Sequence, residues 1–434
     1  MTPGLIGILG VLLLFAMLSG GVPIAVSLIL VGLGGLAVLI SPEAAVIKAA
    51  VIGFDIAGKY ELGVLPLFLL MAHVCFAAGA SRDFFDAAAK FVGHKRGGLA
   101  LASIAACGGF GAISGSSLAT VATIGLVAYP EMRKHGYSPA LATGAVTAGG
   151  SIGSLVPPSA ALIVFGILTE QSIGKLFTAA IIPATTQGLF YMAVIAILCA
   201  FKPSLGPGLP RAPWRERFAS LVRLWDVTLL ISVVIGGIAV GWFSPTEAAS
   251  VGGVGALLLC ARRKQLSVPM LRKALTSTLR TTGMIYAIVI GAITFSAFIA
   301  ATGVAASLAD AVAGAHADKL TVTLAIVGVV LALGMFLDGL ALMTLTVPIF
   351  LPIVTHVGID PIFFGILLVR AMEIGFVHPP VGMNVYVMHS IAKDVPLMTI
   401  FKGVVPFLIS DLLHVALLVA VPGMALFLPK LLGA

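Results

Sequence analysis

Residues 149–159 read GGSIGSLVPPS, and residues 375–384 read GFVHPPVGMN. In each stretch a Pro-Pro pair interrupts an otherwise apolar segment. Because proline donates no amide hydrogen, backbone carbonyls about one turn before each pair lose their helical partner. Inside a membrane, such irregular backbone occurs only where it is buried in protein or lines a cavity. The two stretches therefore predict two broken helices, over 139–168 and 361–391.

The composition of the whole chain is that of a membrane protein. Of its 434 residues, 60% are hydrophobic and 10% are charged, which is too little polar surface for a soluble protein of this length. We therefore predict an all-α polytopic membrane protein with about ten spanning helices, since a span needs about 20 apolar residues. Apart from the two broken helices, the candidate spans are residues 4–19, 22–40, 63–81, 177–201, 227–242, 245–261, 281–302 and 401–428.

Two other apolar stretches, over 99–129 and 322–354, are rich in Gly, Ser, Thr and Pro. Each is too long for one clean helix and too interrupted for two full spans. We predict that both are re-entrant hairpins, which enter the membrane and turn back inside it.

The second half of the chain repeats landmarks of the first half in the same order. The Pro-Pro pairs and hairpins recur at a nearly constant offset, which indicates a duplicated unit. Further matched pairs are Pro23 with Pro245, Gly79 with Gly303, Asp86 with Asp310, Lys95 with Lys319, and Gly115 with Gly339. We predict a first repeat over 1–201, a basic cytoplasmic linker over 202–226, and a second repeat over 227–434.

Loop charge predicts that the two repeats are inverted. The loop 262–280 is strongly basic and its counterpart 41–62 is not; the segment 82–96 is basic and its counterpart 306–320 is not. Since Lys and Arg gather in cytoplasmic loops, the copies lie upside down relative to each other, with both termini outside. The same rule accounts for the net charge of +8 without a nucleic-acid partner.

Several function classes are excluded or disfavoured. The Gly-Lys pairs at 58–59 and 174–175 are followed by Tyr60 and Leu176, so neither completes a Walker A loop, and the sequence contains no HExxH. A membrane-embedded enzyme would need a nucleophile–base pair or a metal cluster, and the sequence predicts neither. We therefore expect a transporter and not an enzyme.

Oxygen-rich segments in the first repeat are typical of a cation site. Ser114-Gly115-Ser116-Ser117 lies where the first hairpin turns, and Pro157-Pro158 frees carbonyls in the broken helix. Hydroxyl and carbonyl oxygens suit an alkali cation, and the half-helix after Ser159 points its positive end at an anion. The alternatives are ordinary serine–backbone bonding and a simple proline kink.

Ionisable residues in the second repeat are functional candidates because charge is costly inside a membrane. Asp338 stands where the first repeat has Ser114, and the alternative is a helix cap. Arg370 and Glu373 share a helix face, which predicts either an ion pair or an arginine that holds an anionic substrate. We interpret Asp411 with His414 as a scaffold or subunit contact. His73 and His389 are lone histidines, which we interpret as structural.

These blocks resemble the large permease subunit of tripartite ATP-independent periplasmic (TRAP) transporters. The resemblance rests on the blocks 114–117, 157–159, 169–175, 336–339, 348–352 and 379–385, and extends over nearly the whole chain. It implies an elevator-type, sodium-coupled symporter for organic acids such as C4-dicarboxylates or sialic acid. Its implied partners are a small four-helix membrane subunit and a periplasmic substrate-binding protein. Its implied location is the bacterial inner membrane, where the orientation given by loop charge makes both termini periplasmic.

The resemblance also implies two sodium sites, with Na+ as the transported coupling ion and no organic cofactor. The first site comprises Ser114, Ser116, Gly153, Val156 and Pro158. The second comprises Gly339, Gly375, His378 and Pro380. Thr120 and His378 depart from the residues that are commoner in the family.

For the substrate we predict contacts from Asp338, Arg370, Ser159, Ser172 and Asn384, of which Asp338 matches the acid at the family's substrate cleft. One alternative function remains open at this point, a stand-alone cation-coupled symporter of divalent anions that needs no binding protein.

Overall fold

The computed structural model describes residues 2–314 and 318–432, and in this part of the chain the regular secondary structure is helical. The α-helices are α1 Pro3–Ser19, α2 Ile24–Leu39, α3 Pro42–Gly58, α4 Val64–Ala77, α5 Ala80–Val92, α6 Gly98–Ser114, α7 Ser117–Lys134, α8 Pro139–Ser151, α9 Ala160–Thr169, α10 Ile173–Phe201, α11 Trp214–Ala239, α12 Pro245–Arg262, α13 Val268–Thr302, α14 Val304–Gly314, α15 Lys319–Gly334, α16 Gly339–Val357, α17 Pro361–Gly375, α18 Met383–Ile391, α19 Leu397–Ala420 and α20 Gly423–Leu431. Short 3-10 helices lie at Tyr60–Gly63, Ile152–Ser154 and Pro203–Leu205.

Helices long and apolar enough to cross a membrane are distributed along the whole chain. Six pass both criteria within the described residues: the segment Tyr60–Ala77 and helices α10, α11, α13, α16 and α19. Shorter apolar helices, including α1, α2, α6 and α15, accompany them. The fold is therefore that of a polytopic all-α membrane protein, as the sequence predicts.

Two predicted boundaries are wrong. The predicted span 401–428 is two helices, because Val421 leaves the helical conformation before Pro422 and α20 begins at Gly423. The predicted linker 202–226 is a linker only to Pro213, since α11 begins at Trp214. Its first turns are amphipathic, and their many charges conceal the helix in a hydropathy profile.

Ion pairs connect α11 to its neighbouring helices. Arg263, which follows α12, donates to both carboxylate oxygens of Asp226 at 3.0 and 2.7 Å and to Asp83 of α5 at 2.5 Å. Its guanidinium also donates to the carbonyl of Ala78 at 2.9 Å. A planar guanidinium with several donors suits such a junction. Arg263 thus joins α5, α11 and the end of α12.

Each predicted hairpin is a pair of consecutive helices joined by a short turn, and its turning back inside the membrane stays a prediction. The first, α6 and α7, turns at Gly115, whose φ of +57° is in the left-handed region that favours glycine. The second, α15 and α16, turns over residues 335–338. After each hairpin the chain turns at a left-handed glycine, Gly136 with φ +76° and Gly358 with φ +74°. Gly136 and Gly358 therefore share a conformation, whereas Gly339, which the sequence matches with Gly115, is the first residue of helix α16.

Both predicted broken helices are confirmed. In the first, α8 ends in the 3-10 helix Ile152–Ser154 and the chain resumes as α9 after Ser159. In the second, α17 ends at Gly375 and the chain resumes as α18 at Met383. The intervening Pro-Pro pairs supply no amide hydrogens to continue either helix.

The helices pack in a way that brings the turns and breaks into the interior. Helix α2 packs along α13, and α4 packs along α12 and α13, while α8 lies between α7 and α19. Glycines allow close approach at these crossings; a Cβ at Gly144 of α8 would lie 2.3 Å from the carbonyl oxygen of Gly403 of α19. The hairpin tips thereby meet the broken helices in the middle of the molecule.

Candidate cation and substrate site

The tip of the first hairpin lies directly against the first broken helix. A Cβ at Gly115 would lie 2.3 Å from the carbonyl oxygen of Pro158, and one at Gly111 would lie 2.8 Å from the Cα of Gly153. The amide of Ala160 donates to the carbonyl of Gly115 at 3.3 Å. Only glycine, with no side chain, permits this contact between two backbones.

Oxygen atoms cluster at this contact. The Ser114 and Thr120 hydroxyls lie 2.9 Å apart, and the Thr120 hydroxyl donates to the carbonyl of Ser116 at 2.8 Å. A Cβ at Gly153 would lie 2.5 Å from the Thr120 hydroxyl oxygen and 3.0 Å from the Ser116 carbonyl oxygen. Neutral hydroxyl and carbonyl oxygens in one place are the donor set that suits a hard monovalent cation.

The structure therefore brings together four of the five residues predicted for the first sodium site: Ser114, Ser116, Gly153 and Pro158. The fifth, Val156, lies in the same break, and its side chain packs against the hydrophobic core. Thr120, which was noted only as a departure from the family pattern, belongs to the cluster. The hydroxyl of Ser116 also caps α7 by accepting from the amide of Ala119 at 3.4 Å.

The residues predicted for the second sodium site are only partly gathered. A Cβ at Gly375 would lie 2.3 Å from the carbonyl oxygen of Gly334, and one at Gly339 would lie 2.6 Å from the sulfur of Met372. The second hairpin thus packs on the second broken helix as the first does. In contrast, the His378 imidazole turns to the carbonyl of Pro379, and Pro380 is exposed.

Asp338 forms the N-cap of α16. Its carboxylate accepts from the amides of Leu340 at 2.9 Å and Ala341 at 3.1 Å. An acid is favourable at this position because the helix dipole is positive there. The cap that the sequence left open as an alternative is therefore present, and a functional role for the same carboxylate is compatible with it.

Asp338 also lines a cavity of about 550 Å³ between the two hairpin tips and the helices α4 and α13. The cavity is lined mainly by apolar side chains, and its hydroxyl-bearing lining residues are Ser114, Ser116, Ser117, Thr123, Ser154 and Thr281. Its ionisable lining residues are Asp338 on the hairpin side and His73 on the α4 side. A largely apolar pocket of this volume with a few polar groups is typical of a small-molecule site.

The other residues predicted to contact substrate lie elsewhere. Ser159 is buried, and its hydroxyl donates to the Ser154 carbonyl and accepts from the Leu162 amide at 3.2 Å. Asn384 is buried one layer behind the cavity and donates to the Ser117 hydroxyl at 2.8 Å.

Ser172 lies away from this cavity, as the N-cap of α10. It lines a separate cavity of about 540 Å³, beside Lys59 and Glu170. The five predicted substrate residues therefore do not share one cavity.

The ion-pair partner of Arg370 is not the residue that the sequence predicts. Arg370 is fully buried, and its guanidinium bonds the carboxylate of Asp411 and, at 3.1 Å, Nδ1 of His414. Its ion-pair partner is thus Asp411 and not Glu373. Asp411 and His414 thereby connect α19 to α17 within the chain, and His414 reaches Thr186 of α10 at 2.8 Å.

Two residues that line the cavity were missed. His73 was interpreted as structural, although an ionisable residue within an apolar helix is a functional signal. Thr281 carries no signal in the sequence, since a threonine near the start of a long helix is common. His73 lies on α4 and Thr281 lies on α13, and both face the hairpin tips across the cavity.

Known proteins are similar to this chain over nearly its whole length. The family model described as "Tripartite ATP-independent periplasmic transporter, DctM component" matches residues 11–424. The C4-dicarboxylate TRAP transporter large permease protein DctM of Pseudomonas aeruginosa is 36% identical over 402 residues, covering 92% of this chain and 93% of that protein. The sialic acid TRAP transporter large permease protein SiaM of Vibrio cholerae is 34% identical, covering 96% of each.

A longer relative and a solved structure extend the comparison. The isethionate TRAP transporter permease protein DctMQ of Oleidesulfovibrio alaskensis is 33% identical over 94% of this chain, which covers 64% of that protein. The Alcanivorax borkumensis YdaH transporter superposes with a TM-score of 0.65 at 16% identity, covering 88% of this chain and 89% of that one; this likeness concerns the fold alone. On the family match and these relatives, the chain belongs to the DctM family, the large permease component of tripartite ATP-independent periplasmic transporters.

Proposed function

We propose that this permease imports an organic acid across the bacterial inner membrane, driven by a sodium gradient. The observation that carries the proposal is the oxygen cluster of Ser114, Ser116 and Thr120 against Gly153. It provides several neutral oxygen ligands within hydrogen-bonding distance of one another, and one wall of the neighbouring 550 Å³ cavity is formed by the same turn. A cation in the cluster would lie next to a substrate in the cavity, so the binding of each would favour the other.

The named relatives support an organic anion as the substrate, and the cavity supports a small molecule. Its volume is that of a small-molecule site, and no Lys or Arg is among the residues that line it in the described parts of the chain. Hydrogen bonds from the lining hydroxyls and His73 would then hold the carboxylate, and the coupling cation would balance its charge. Asp338 would repel a carboxylate that arrives without a cation. The relatives named for C4-dicarboxylate and sialic acid transport fit this substrate class.

The position of the cavity supports an elevator mechanism. One wall consists of α4 and α13, and the opposite wall consists of the hairpin tips and the break in the first broken helix. A substrate in this interface would be carried when one wall moves against the other. We propose that α6–α10 and α15–α19 form the moving part and that the long helices α11–α13 belong to the stationary part.

The orientation we propose places residues 82–96, 131–136, 202–225 and 262–280 in the cytoplasm and both termini in the periplasm. Ser172 and Arg215 are both exposed and lie on opposite sides in this arrangement. A cysteine at Ser172 should react with an impermeant reagent added outside, and a cysteine at Arg215 should react only from inside. The opposite pattern would exclude the inverted orientation.

We propose that the chain works with a small four-helix membrane subunit and a periplasmic binding protein. The protein should be reconstituted into vesicles with both partners from its own operon, and uptake of the binding protein's ligand should be measured. We expect uptake only with all three components and an inward sodium gradient. Uptake that persists without the binding protein would favour the stand-alone symporter, and uptake indifferent to sodium would exclude sodium coupling.

A further inference from the structure

Glu373 is a fully buried carboxylate that forms no ion pair with any described residue. It lies on α17, is 1% exposed, and neither of its carboxylate oxygens has a hydrogen-bond partner among the described residues. Arg370, one turn earlier on the same helix, directs its guanidinium to Asp411 instead. The fold therefore leaves an acid in the protein interior with no direct counter-ion.

The polar groups near Glu373 come from three other elements. The hydroxyls of Ser117 on α7 and Ser154 in the first broken helix lie beside the carboxylate, and they are tied together because the Ser117 amide donates to the Ser154 hydroxyl at 2.9 Å. Asn384 on α18 donates to the Ser117 hydroxyl at 2.8 Å, while its own side-chain carbonyl oxygen has no partner. The two serine hydroxyls can each turn a hydrogen toward the Glu373 carboxylate, but no positively charged side chain among the described residues bonds it.

The charges in this region do not balance. Arg370, Asp411 and Glu373 are 0–1% exposed, which gives one guanidinium against two carboxylates. His414 adds no positive charge, since its Nδ1 accepts from Nε of Arg370 at 3.1 Å and an accepting nitrogen carries no proton. Burying an uncompensated charge is strongly unfavourable. The interior therefore requires one more positive charge.

We propose that Glu373, Ser117, Ser154 and Asn384 form an additional Na+ site, separate from the cluster at Ser114 and Thr120. A carboxylate with hydroxyl and amide oxygens is a suitable ligand set for a hard cation, and one Na+ would supply the missing charge. The ligands come from both halves of the chain, since Ser117 and Ser154 belong to the first repeat and Glu373 and Asn384 to the second. A bound ion would therefore hold the two repeats together. The proposal rests on the sodium coupling proposed above.

The number of ²²Na+ ions bound per purified full-length chain at saturation tests the proposal. Glu373→Gln preserves the shape and removes the charge, so we expect it to bind one Na+ fewer than the native protein. Glu43→Gln is the matched control, because Glu43 is exposed in the first turn of α3, and it should bind the native number. Without Na+, Glu373→Gln should also melt at a higher temperature than the native protein, since it no longer buries an uncompensated charge.

An equal, non-zero number of bound ions in Glu373→Gln and the native protein would overturn the proposal and would assign the missing charge to a proton. No binding by the native protein would overturn sodium coupling itself. If Glu373→Gln does not accumulate, Glu373→Asp should be tested in its place. Aspartate keeps the negative charge, but its side chain is one methylene shorter, so the carboxylate lies farther from the other ligands. We then expect at least a tenfold higher Na+ concentration for half-saturation of one site, and unchanged affinity would contradict the assignment.

Discussion

Arg370 on α17 and Asp411 on α19 form an ion pair in which neither side chain is exposed to solvent. The pair joins α17, the first half of the second broken helix, to α19. Helix α19 in turn packs on α8, the first half of the first broken helix. His414, one turn beyond Asp411, accepts a further hydrogen bond from Arg370. The two halves of the site are thus held in place by a charged contact that the substrate cavity does not include.

Arg370→Met should be strongly destabilising. It leaves two buried carboxylates without a cation, and the loss of one partner of a buried pair costs about 3–5 kcal/mol. We expect a large drop in the melting temperature of the purified protein. Lys90→Met is the matched control, because Lys90 pairs with Glu216 at the surface and such pairs contribute about 0–1 kcal/mol. Equal effects of the two substitutions would show that the Arg370 pair is not important for stability.

Gly115→Ala should disturb the cation cluster more than the fold. Alanine at this left-handed position costs about 1–2 kcal/mol, and its Cβ would also press on the Pro158 carbonyl oxygen at 2.3 Å. Gly79→Ala separates the two effects, since Gly79 has φ +80° with nothing within 4 Å of a Cβ. Gly115→Ala should lose more stability than Gly79→Ala because only its Cβ clashes with another backbone, and it alone should need more sodium for half-maximal uptake. The same sodium dependence in both would mean that the contact with Pro158 does not shape the site.

Asp338→Asn should separate the cap from the charge. Asparagine caps a helix as well as aspartate does, so the variant should fold and insert normally. It removes the negative charge from the cavity, and we expect uptake in reconstituted vesicles to be abolished or uncoupled from the cation gradient. Uptake at the native rate with the native cation dependence would mean that Asp338 serves only as a cap.

His73→Gln should weaken substrate use. His73 is the basic ionisable group that lines the cavity, and a hydrogen bond to a charged partner contributes about 1.5–3 kcal/mol. We therefore expect kcat/KM for uptake to fall about 10- to 100-fold, mainly through KM. His389→Gln is the control, because His389 bonds the Val395 carbonyl at 3.1 Å and does not line the cavity. An unchanged KM in His73→Gln would show that His73 does not contact the substrate and has a structural role.

Backbone features of the site could be predicted from the sequence because proline and glycine act locally. The Pro-Pro pairs at 157 and 379 fix where the helices break, and Gly115 marks the left-handed turn between α6 and α7. The contact between these two features also follows, since a turn inside a membrane must meet other protein. The proximity of four residues proposed for the first site could therefore be predicted without a structure.

Partners between distant helices could not be predicted. Arg370 and Glu373 are three residues apart, a spacing that predicts an ion pair. In the structure the Arg370 guanidinium instead bonds the carboxylate of Asp411 on α19. His73 is far along the sequence from Ser114 and Asp338, which lie on the opposite side of the cavity. The start of α11 at Trp214 was missed because its charges lower the hydropathy of a segment whose apolar residues still recur at helical spacing.

The sodium dependence of uptake in Ser114→Ala and Thr120→Val tests the central claim most directly. These substitutions remove the two hydroxyls that lie 2.9 Å apart in the cluster, and neither residue caps a helix, unlike Ser116. Ser390→Ala is the control, since Ser390 is exposed and bonds only the Val387 carbonyl. We predict that both site variants need several-fold more sodium for half-maximal uptake at native protein level, while Ser390→Ala does not. Native sodium dependence in both site variants would contradict the assignment of a coupling-ion site to this hairpin.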